Sequence, residues 1–323
     1  MGTIRPITHR TDPQRTAAAS TAKRVMRTKI PLPSDRTYEQ VERHFRVERA
    51  LAKQLKNADR AERARLYGVL YDELFARVPD HPRLARQADV VRTAEMNRIK
   101  RRMVEPFLTP SSTVAEFGCG DGLFAYSLCP DVACVYGIDI CDQRDPRAPQ
   151  PANFEMIVYD GYDPPLADGS VDVAFSDQLI EHLHPEDVRL HFETIRRLLR
   201  PGGVYVLRTP HALCGPHDVS RYFCDQPEGF HLKEWTYGEL MRLLMHLGYG
   251  RMRGYRFVKG RPLEVPLACL RGVERALRCL PSSGRRRMAA RILPEVVLAA
   301  AVPGDCTRRT GSKRAARRDG ADG

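Results

Sequence analysis

Histidines and carboxylic acids that can transfer a proton near neutral pH are concentrated in residues 181–234. An imidazole suits this role because its ordinary pKa lies close to neutrality. Four of these side chains are our candidates for acid–base catalysis: Glu181, His182, His211 and His217. Three more are candidates for contact with a substrate: Asp218, Arg221 and His231. A lone histidine can also be a hydrogen-bonded cap or a structural contact, and the sequence leaves that alternative open for each.

The stretch VAEFGCGDGLFAYSL, residues 114–128, places three glycines between a predicted strand and a predicted helix. Glycine lets the backbone take positive φ and approach a ligand closely. The dinucleotide fingerprint would need a glycine at Leu123, and the Walker loop would need a Gly-Lys-Ser/Thr ending, so neither phosphate-binding motif is present. The acids Glu116 and Asp121 at this turn favour a cationic ligand instead.

Strand and helix patterns alternate after Thr109, which predicts a doubly wound α/β fold with a mostly parallel sheet. The predicted strands are STVAEFG, ACVYGIDI, FEMIVYD, SVDVAFS, GGVYVLRTP, YGRMRGYRFV and a last one in PEVVLAAAV, seven in all. The Pro-rich segment 144–153 stands where a crossover helix would normally lie. Ligands bind at the carboxyl ends of such strands. We therefore expect the candidate residues to meet there, with GPHDVSRYF, residues 215–223, as the substrate loop.

The rest of the chain divides around this sheet. The predicted segments are a disordered basic tail over 1–35, a helical cap over 36–108, the sheet domain over 109–260, a helical insertion with the last strand over 261–303, and a second disordered basic tail over 304–323. Apolar residues recur every three or four positions in the cap, which is typical of amphipathic helices. The third cap helix is predicted over residues 85–104.

These motifs, taken in order, resemble those of the class I S-adenosylmethionine-dependent methyltransferases, in a type-11-like branch. An acid followed by G-x-G-x-G is matched from Glu116 onward, Asp139 ends the second strand, and Asp160 follows the third. The stretch DGSVDVAFSDQLIEHLHPED looks like the fourth-strand motif of that branch. The resemblance covers about residues 90–260 and implies a Rossmann-like domain that binds S-adenosylmethionine.

The resemblance also implies roles for individual residues. The first acid should lie near the cofactor's ammonium group, and Asp139 should accept hydrogen bonds from the ribose hydroxyls. The implied cofactor-binding residues are Glu116, Gly118, Cys119, Gly120, Gly122, Asp139, Ile140, Asp160, Gly161, Ser176 and Asp177. In such enzymes the protein aligns the reactants, excludes water and supplies a base. We therefore expect methylation, foremost of an oxygen, on a small-molecule, lipid-linked or glycan acceptor.

A metal site is a weaker alternative. In the small-RNA terminal 2′-O-methyltransferases and in one quinone O-methyltransferase branch, Glu-x-x-Glu-His holds a metal. Glu181, His182 and His231 match that set, but its first position is Gln178, whose neutral amide is a poor ligand for a hard cation. We therefore predict no catalytic metal. A metal-dependent RNA 2′-O-methyltransferase and a non-catalytic S-adenosylmethionine-binding scaffold remain alternative hypotheses.

The formal net charge of +12 is unevenly distributed. Residues 1–109 carry +11, residues 110–260 carry −7, and residues 261–323 carry +8. The acidic centre opposes nucleic-acid binding, so we expect no nucleic-acid partner. The basic helical pattern over residues 265–280 either packs on the domain or makes a peripheral contact with an anionic membrane.

Targeting signals and cysteines indicate the compartment. The nine cysteines show no C-x-x-C pair, which is typical of reduced thiols and predicts a cytoplasmic protein. The N-terminal segment lacks the apolar core of a signal peptide. No apolar run approaches the roughly 18 residues of a transmembrane helix.

Overall fold

Four helices precede the sheet. The computed structural model describes residues 26–87, 89–258 and 260–304. The four helices are α1 (Tyr38–Asn57), α2 (Arg60–Arg77), α3 (Pro82–Gln87) and α4 (Val90–Val104). Buried leucines of α1 and α2 pack together with Phe230 and Leu232, which lie in a loop beyond the sheet. Helices α1 and α2 therefore rest on the loops that follow the strands.

Eight strands form one sheet. They are β1 (Thr113–Phe117), β2 (Cys134–Asp139), β3 (Phe154–Val158), β4 (Val171–Asp177), β5 (Leu199–Pro210), β6 (Met252–Val258), β7 (Arg261–Val265) and β8 (Glu295–Ala301). Their spatial order is β3-β2-β1-β4-β5-β8-β6-β7. Strands β1 to β5 run parallel to one another. Strand β8 runs antiparallel to both β5 and β6, and β7 runs antiparallel to β6. This confirms the mostly parallel α/β fold.

Helices cover both faces of the sheet, as a doubly wound fold requires. They are α5 (Leu123–Leu128), α6 (Pro185–Leu198), α7 (Tyr237–His246), α8 (Leu267–Arg278) and α9 (Ser282–Ile292). Met103 and Val104 of α4 and Phe124 of α5 join the core on one face. The helices α6 to α9 bury apolar side chains in the core on the other face. The strand order and this layering give the Rossmann-like architecture expected from the sequence.

The sheet has one strand more than the seven predicted. The extra strand, β7, forms a hairpin with β6 at the sheet edge. It opens the segment that we had predicted to be a helical insertion. Its sequence RPLEV is largely exposed and contains Pro262, and proline is tolerated on edge strands because they lack a partner on one side. Such a strand has little of the apolar pattern by which the others were recognised.

Two other predictions need adjustment. The third cap helix, expected over residues 85–104, is replaced by α3 and α4, and Asp89 caps the start of α4 by accepting from Arg92 N–H. Residues 26–35, placed in the predicted disordered tail, contact the protein: Lys29 N–H donates to the Tyr222 carbonyl, and Met26 packs near Phe45. Residues 1–25 of that tail lie outside the described residues, and so do residues 305–323 of the second tail.

Between β2 and β3 the described chain forms no helix, as the Pro-rich segment 144–153 had predicted. No helix in the described ranges has the length and apolarity needed to cross a bilayer. The eight described cysteines are all free thiols. The cytoplasmic location stays a prediction.

Candidate functional site

A cleft of about 920 Å³ opens at the carboxyl ends of the parallel strands. One wall comes from the loops after β1, β2, β4 and β5, and the other from α1, α2, α3 and α4. Predicted site residues that line it are Gly118, Cys119, Gly120, Asp139, Ile140, Gly161, Asp177, His182, His217, Asp218, Arg221 and His231. The fold therefore brings most of the predicted residues to one cavity.

The glycine turn connects β1 to α5 through left-handed backbone. Gly118, Gly120 and Gly122 have φ of 73°, 56° and 72°, which other L-residues rarely adopt. A Cβ on Gly118 would lie 3.2 Å from the Leu179 side chain, whereas one on Gly120 would meet no protein atom within 4 Å. The turn therefore needs glycine for its conformation and leaves open space beside Gly120 in the cleft.

Glu116 is buried near the end of β1, behind the turn. Lys100 of α4 lies 3.4 Å from Glu116 Oε1 and 3.9 Å from Asp177 Oδ2. Burial raises the pKa of Glu116 to about 7, although the Lys100 charge opposes that rise. Its second oxygen, Oε2, is buried with no hydrogen-bond partner in the described structure. One ammonium group is thus already near this carboxyl, and an acceptor remains unsatisfied.

Asp139 ends β2 beside the glycine turn. Its two oxygens accept hydrogen bonds from the N–H groups of Gly120 and Ile140, both at 2.7 Å. Burial raises the pKa of Asp139, and these two N–H donors oppose the rise. Each carboxylate oxygen has a second lone pair, so the side chain can still accept from hydroxyl groups of a ligand.

Three predicted cofactor-binding residues have other partners. Asp160 is exposed, does not line the cleft, and accepts from the N–H groups of Tyr162 and Asp163 in a turn. The hydroxyl of Ser176 is buried 2.7 Å from that of Tyr205. Gly122 lies at the start of α5. The structure thus places these three behind or beside the cleft surface.

Glu181, His182 and His231 converge, with one ligand atom from each within 4.8 Å of the others. His182 Nδ1 lies 3.0 Å from the Phe230 carbonyl, and His231 Nδ1 lies 2.8 Å from Glu234 Oε1. Because both partners accept, each Nδ1 carries the proton and each neutral ring keeps its Nε2 lone pair. Burial lowers the pKa of His182 to about 3.

Glu234 joins two histidines at the base of the predicted substrate loop. Its carboxylate accepts from His231 Nδ1, from His217 Nδ1 at 3.0 Å and from the His217 N–H at 2.7 Å. Burial opposes its ionised form, but the two imidazoles lower its pKa to about 2. Burial likewise opposes the charged form of His231, whose pKa is nevertheless raised by Glu234 and by the Glu181 charge. The sequence pairs Glu234 with His231 as a candidate three residues later, and the structure adds His217 to the same carboxylate.

His211 is not part of this cluster. Its side chain is fully buried outside the cleft lining, and its Nε2 lies 2.9 Å from Glu274 of α8. Glu274 also accepts from the N–H groups of Tyr237 and Gly238 at the start of α7. His211 therefore stabilises the packing of α7 and α8, which is the structural role that the sequence had left open.

The cap contributes cleft residues that sequence reasoning missed. His44 and Glu48 of α1 and His81 before α3 are buried together, with ligand atoms within 4.8 Å of one another. Arg36 Nη1 contacts His44 Nδ1 and the Arg83 N–H donates to His81 Nδ1, so both neutral rings carry their proton on Nε2. These Nε2 atoms lie 2.7 Å and 3.6 Å from Glu48 Oε1.

This cap cluster, His44, Glu48 and His81, therefore differs from the one around His182. Its rings direct N–H groups at a carboxylate and offer no lone pair to a metal. The Glu48 carboxylate also accepts from the Phe230 N–H at 3.2 Å, and the Phe230 carbonyl is the partner of His182. The four-residue spacing of His44 and Glu48 was the only signal in the sequence, and it gives no hint of His81.

Comparison with known proteins agrees with this geometry. Residues 115–207 match the family model described as a methyltransferase domain. A protein of Mycolicibacterium smegmatis named "Probable S-adenosylmethionine-dependent methyltransferase" is 35% identical over 146 residues, which cover 42% of this chain and 51% of that protein. An uncharacterized methyltransferase of a Mycobacterium species is 31% identical over 152 residues, 46% of this chain and 51% of its own. The chain thus spans about half the length of the curated relatives it matches.

Among solved structures, an S-adenosylmethionine-dependent methyltransferase from Mesorhizobium loti superimposes with a TM-score of 0.42 at 18% identity, over 63% of this chain and 97% of that one. The family match falls on the segment that contains the glycine turn, Asp139 and β4. Residues 115–207 therefore match a methyltransferase domain, and the two relatives bear the names of a probable S-adenosylmethionine-dependent methyltransferase and an uncharacterized methyltransferase.

Proposed function

We propose that this protein is an S-adenosylmethionine-dependent methyltransferase that methylates an oxygen of a small-molecule, lipid-linked or glycan acceptor. The observation that carries the proposal is that one cleft is lined both by the glycine turn with Asp139 and by the histidines His182, His217 and His231. The glycine turn and Asp139 suit a cofactor with a ribose. The histidines suit an acceptor hydroxyl that must lose a proton.

The residues present fit the cofactor. The unsatisfied Oε2 of Glu116 can accept from the ammonium group of a methionyl moiety, and Asp139 can accept from ribose hydroxyls. Open space at Gly120 allows close approach of a ligand to the backbone. Because Lys100 already lies near Glu116, we expect it to shift or to share this carboxyl when the cofactor binds. When bound, S-adenosylmethionine supplies a methyl group activated by its positive sulfur.

The histidines would handle the proton. His231 is the better base, because Glu234 stabilises the positive charge that the ring gains on accepting a proton at Nε2. His182, whose pKa is low, stays neutral beside it and leaves the proton of the acceptor hydroxyl to His231. His217 shares Glu234 and lines the same cleft. The burial of this cluster excludes water from the transfer.

A divalent cation held by Glu181, His182 and His231 is the second candidate, as in the metal-dependent RNA 2′-O-methyltransferase hypothesis. One observation favours it: both rings keep Nε2 free, and Glu181 Oε1 is buried without a hydrogen-bond partner. Such an ion would polarise the acceptor hydroxyl. Mn²⁺ binding, followed by electron paramagnetic resonance and lost in Glu181→Gln, would favour this candidate. RNA binding would have to overcome the acidic centre.

The first test is calorimetric titration with S-adenosylhomocysteine. We expect binding by the wild-type protein and an affinity at least about tenfold lower in Asp139→Ala, because acceptors for the ribose are lost. Asp145→Ala is the matched control, since Asp145 is exposed and pairs only with Arg147. Equal affinity of Asp139→Ala and wild type, with unchanged melting temperatures, would contradict the proposed cofactor site.

A further inference from the structure

The cleft is lined by two arginines that form no ion pair in the described structure. They are Arg83 of α3 and Arg221 of the turn Val219–Tyr222. Among the residues that the structure describes, neither has a carboxylate within ion-pair distance. Arg83 lies over the Tyr71 ring, 5.0 Å from its centroid, and Arg221 lies 5.7 Å from that of Tyr222. Both guanidinium groups are thus held by rings and keep their N–H donors available.

Arg83 lies close to the proposed proton-transfer residues. The Tyr71 ring beneath it is 6.3 Å from the ring of His182 and 5.4 Å from that of Phe230. Arg221 follows His217 and Asp218 in the predicted substrate loop. The two arginines therefore line the same cleft from different sides, one from the cap and one from the sheet domain.

The acids that share the cleft form no ion pair with Arg83 or Arg221 in the described structure, although the Arg83 charge opposes the rise in the pKa of Asp139. Glu48 accepts from His44 and from the Phe230 N–H. Asp218 accepts from the N–H groups of Ser220, Gly229 and His231. Asp35, which also lines the cleft, is exposed and has no ion pair in the described structure. The oxygens of Glu48 and Asp218 are thus engaged by other donors, and Arg83 and Arg221 keep N–H groups available to a ligand.

Arg36 adds a further donor. Its side chain is only 7% exposed, and its Nη2 pairs with Asp80 at 2.9 Å. Its Nε is buried without a hydrogen-bond partner in the described structure, although Arg36 lines the cleft. A buried donor without a partner is costly unless a ligand or a small shift supplies an acceptor.

We propose that Arg83 and Arg221 bind an anionic group, phosphate or carboxylate, on the methyl acceptor. This narrows the acceptor class left open above and rests on the proposed function. A guanidinium group binds such oxyanions with two parallel N–H donors. Tyr71 and Phe230 provide an apolar surface for the rest of the acceptor, which then lies with its hydroxyl near His182 and His231.

The test uses the full chain and three proteins. They are the wild type, the double variant Arg83→Gln/Arg221→Gln, and the control Arg65→Gln/Arg251→Gln, which removes the same charge at exposed positions outside the cleft lining. Each is titrated with S-adenosylhomocysteine, and then, with and without that ligand, with inorganic phosphate and with succinate at constant ionic strength. Melting temperatures check that all three are folded.

We expect the wild type and the control to bind phosphate or succinate. The cleft variant should bind the same anion at least about tenfold more weakly. The affinity for S-adenosylhomocysteine should be unchanged in all three proteins. The anion that binds identifies the acceptor group. Three results would overturn the inference: anion binding retained in the cleft variant, equal loss in the control, or no anion binding by the wild type up to about 50 mM. Loss of S-adenosylhomocysteine affinity in the cleft variant would instead assign these arginines to the cofactor. If the wild type fails to bind S-adenosylhomocysteine, that result contradicts the proposed function alone. The anion titrations in the absence of S-adenosylhomocysteine still decide this inference.

Discussion

Two buried carboxyl groups that lie next to histidines of the cleft have pKa values shifted in opposite directions, because their donors differ. Glu234 receives hydrogen bonds from His217 and His231, and its pKa falls to about 2. Glu181 has only the Thr209 hydroxyl on Oε2, and burial raises its pKa to about 7, although the His231 charge opposes the rise. One side chain is thus a fixed negative charge, and the other can carry a proton near neutral pH.

Glu181 should therefore make folding stability depend on pH. Its pKa is higher in the folded protein than the ordinary 4.5. As the pH rises through the window from 4.5 to about 7, the unfolded chain loses this proton while the folded protein keeps it, so the free energy of unfolding falls. One proton contributes at most about 1.4 kcal/mol per pH unit.

In Glu181→Gln this contribution is absent. We expect urea denaturation at about pH 5 and about pH 7.5 to show that wild type loses stability relative to the variant as pH rises. Glu193→Gln, at an exposed position of α6, should show no such change. A constant difference between wild type and Glu181→Gln at both pH values would mean that Glu181 is ionised throughout.

At the scale of an element, α1 of the cap is linked through the Phe230 backbone to His182, which lies beside the proposed base His231. Glu48 accepts the Phe230 N–H, and the Phe230 carbonyl accepts from His182. A helix that frays would therefore loosen a histidine in the sheet domain. The start of α1 is fixed by a capping box, in which Thr37 accepts from the Gln40 N–H and the Gln40 side chain accepts from the Thr37 N–H.

Thr37→Ala should lower the free energy of unfolding by about 1 kcal/mol, because the N-cap acceptor is lost. Thr37→Ser keeps a hydroxyl at this position and should stay within a few tenths of a kcal/mol of wild type. Denaturant unfolding of the three proteins measures both values. If Ala and Ser had equal effects, the Thr37 hydroxyl would not stabilise the start of α1.

At the scale of the whole molecule, a buried ion pair joins the cap to the sheet domain. Arg63 of α2 donates twice to Asp187 of α6, each time at 2.8 Å, and the hydroxyls of Tyr67 and Tyr162 also donate to Asp187. The two charged side chains are 5% and 3% exposed. A buried pair of this kind fixes the position of α2, which carries Tyr71 into the cleft.

Removing one partner leaves a buried charge, so Arg63→Met should destabilise the protein by about 3–5 kcal/mol. Arg65→Met, two residues further along α2 and exposed, is the control and should change stability by less than about 0.5 kcal/mol. Thermal and urea unfolding measure the difference. Similar stability of the two variants would show that the cap is held by its apolar contacts alone.

The sequence by itself predicted the parallel part of the sheet and the residues that meet at the glycine turn. Both depend on short-range patterns: apolar runs of strand length, three glycines that need positive φ, and an acid at the end of β2. Such features are local, because a turn conformation and a strand end are specified by neighbouring residues. The edge strand β7 was missed because Pro262 and charged residues weaken its apolar pattern.

Only the tertiary structure decided which candidate histidines line the cleft. His211 and His217 look equally reactive in the sequence, yet one is buried against Glu274 and the other lines the cleft beside Glu234. The cap residues that face the cleft come from more than 100 positions before the loop that they meet, as in the contact of Glu48 with Phe230. A histidine's tautomer and charge are set by partners distant in the sequence, so folding alone reveals which rings carry a lone pair and which carry a proton.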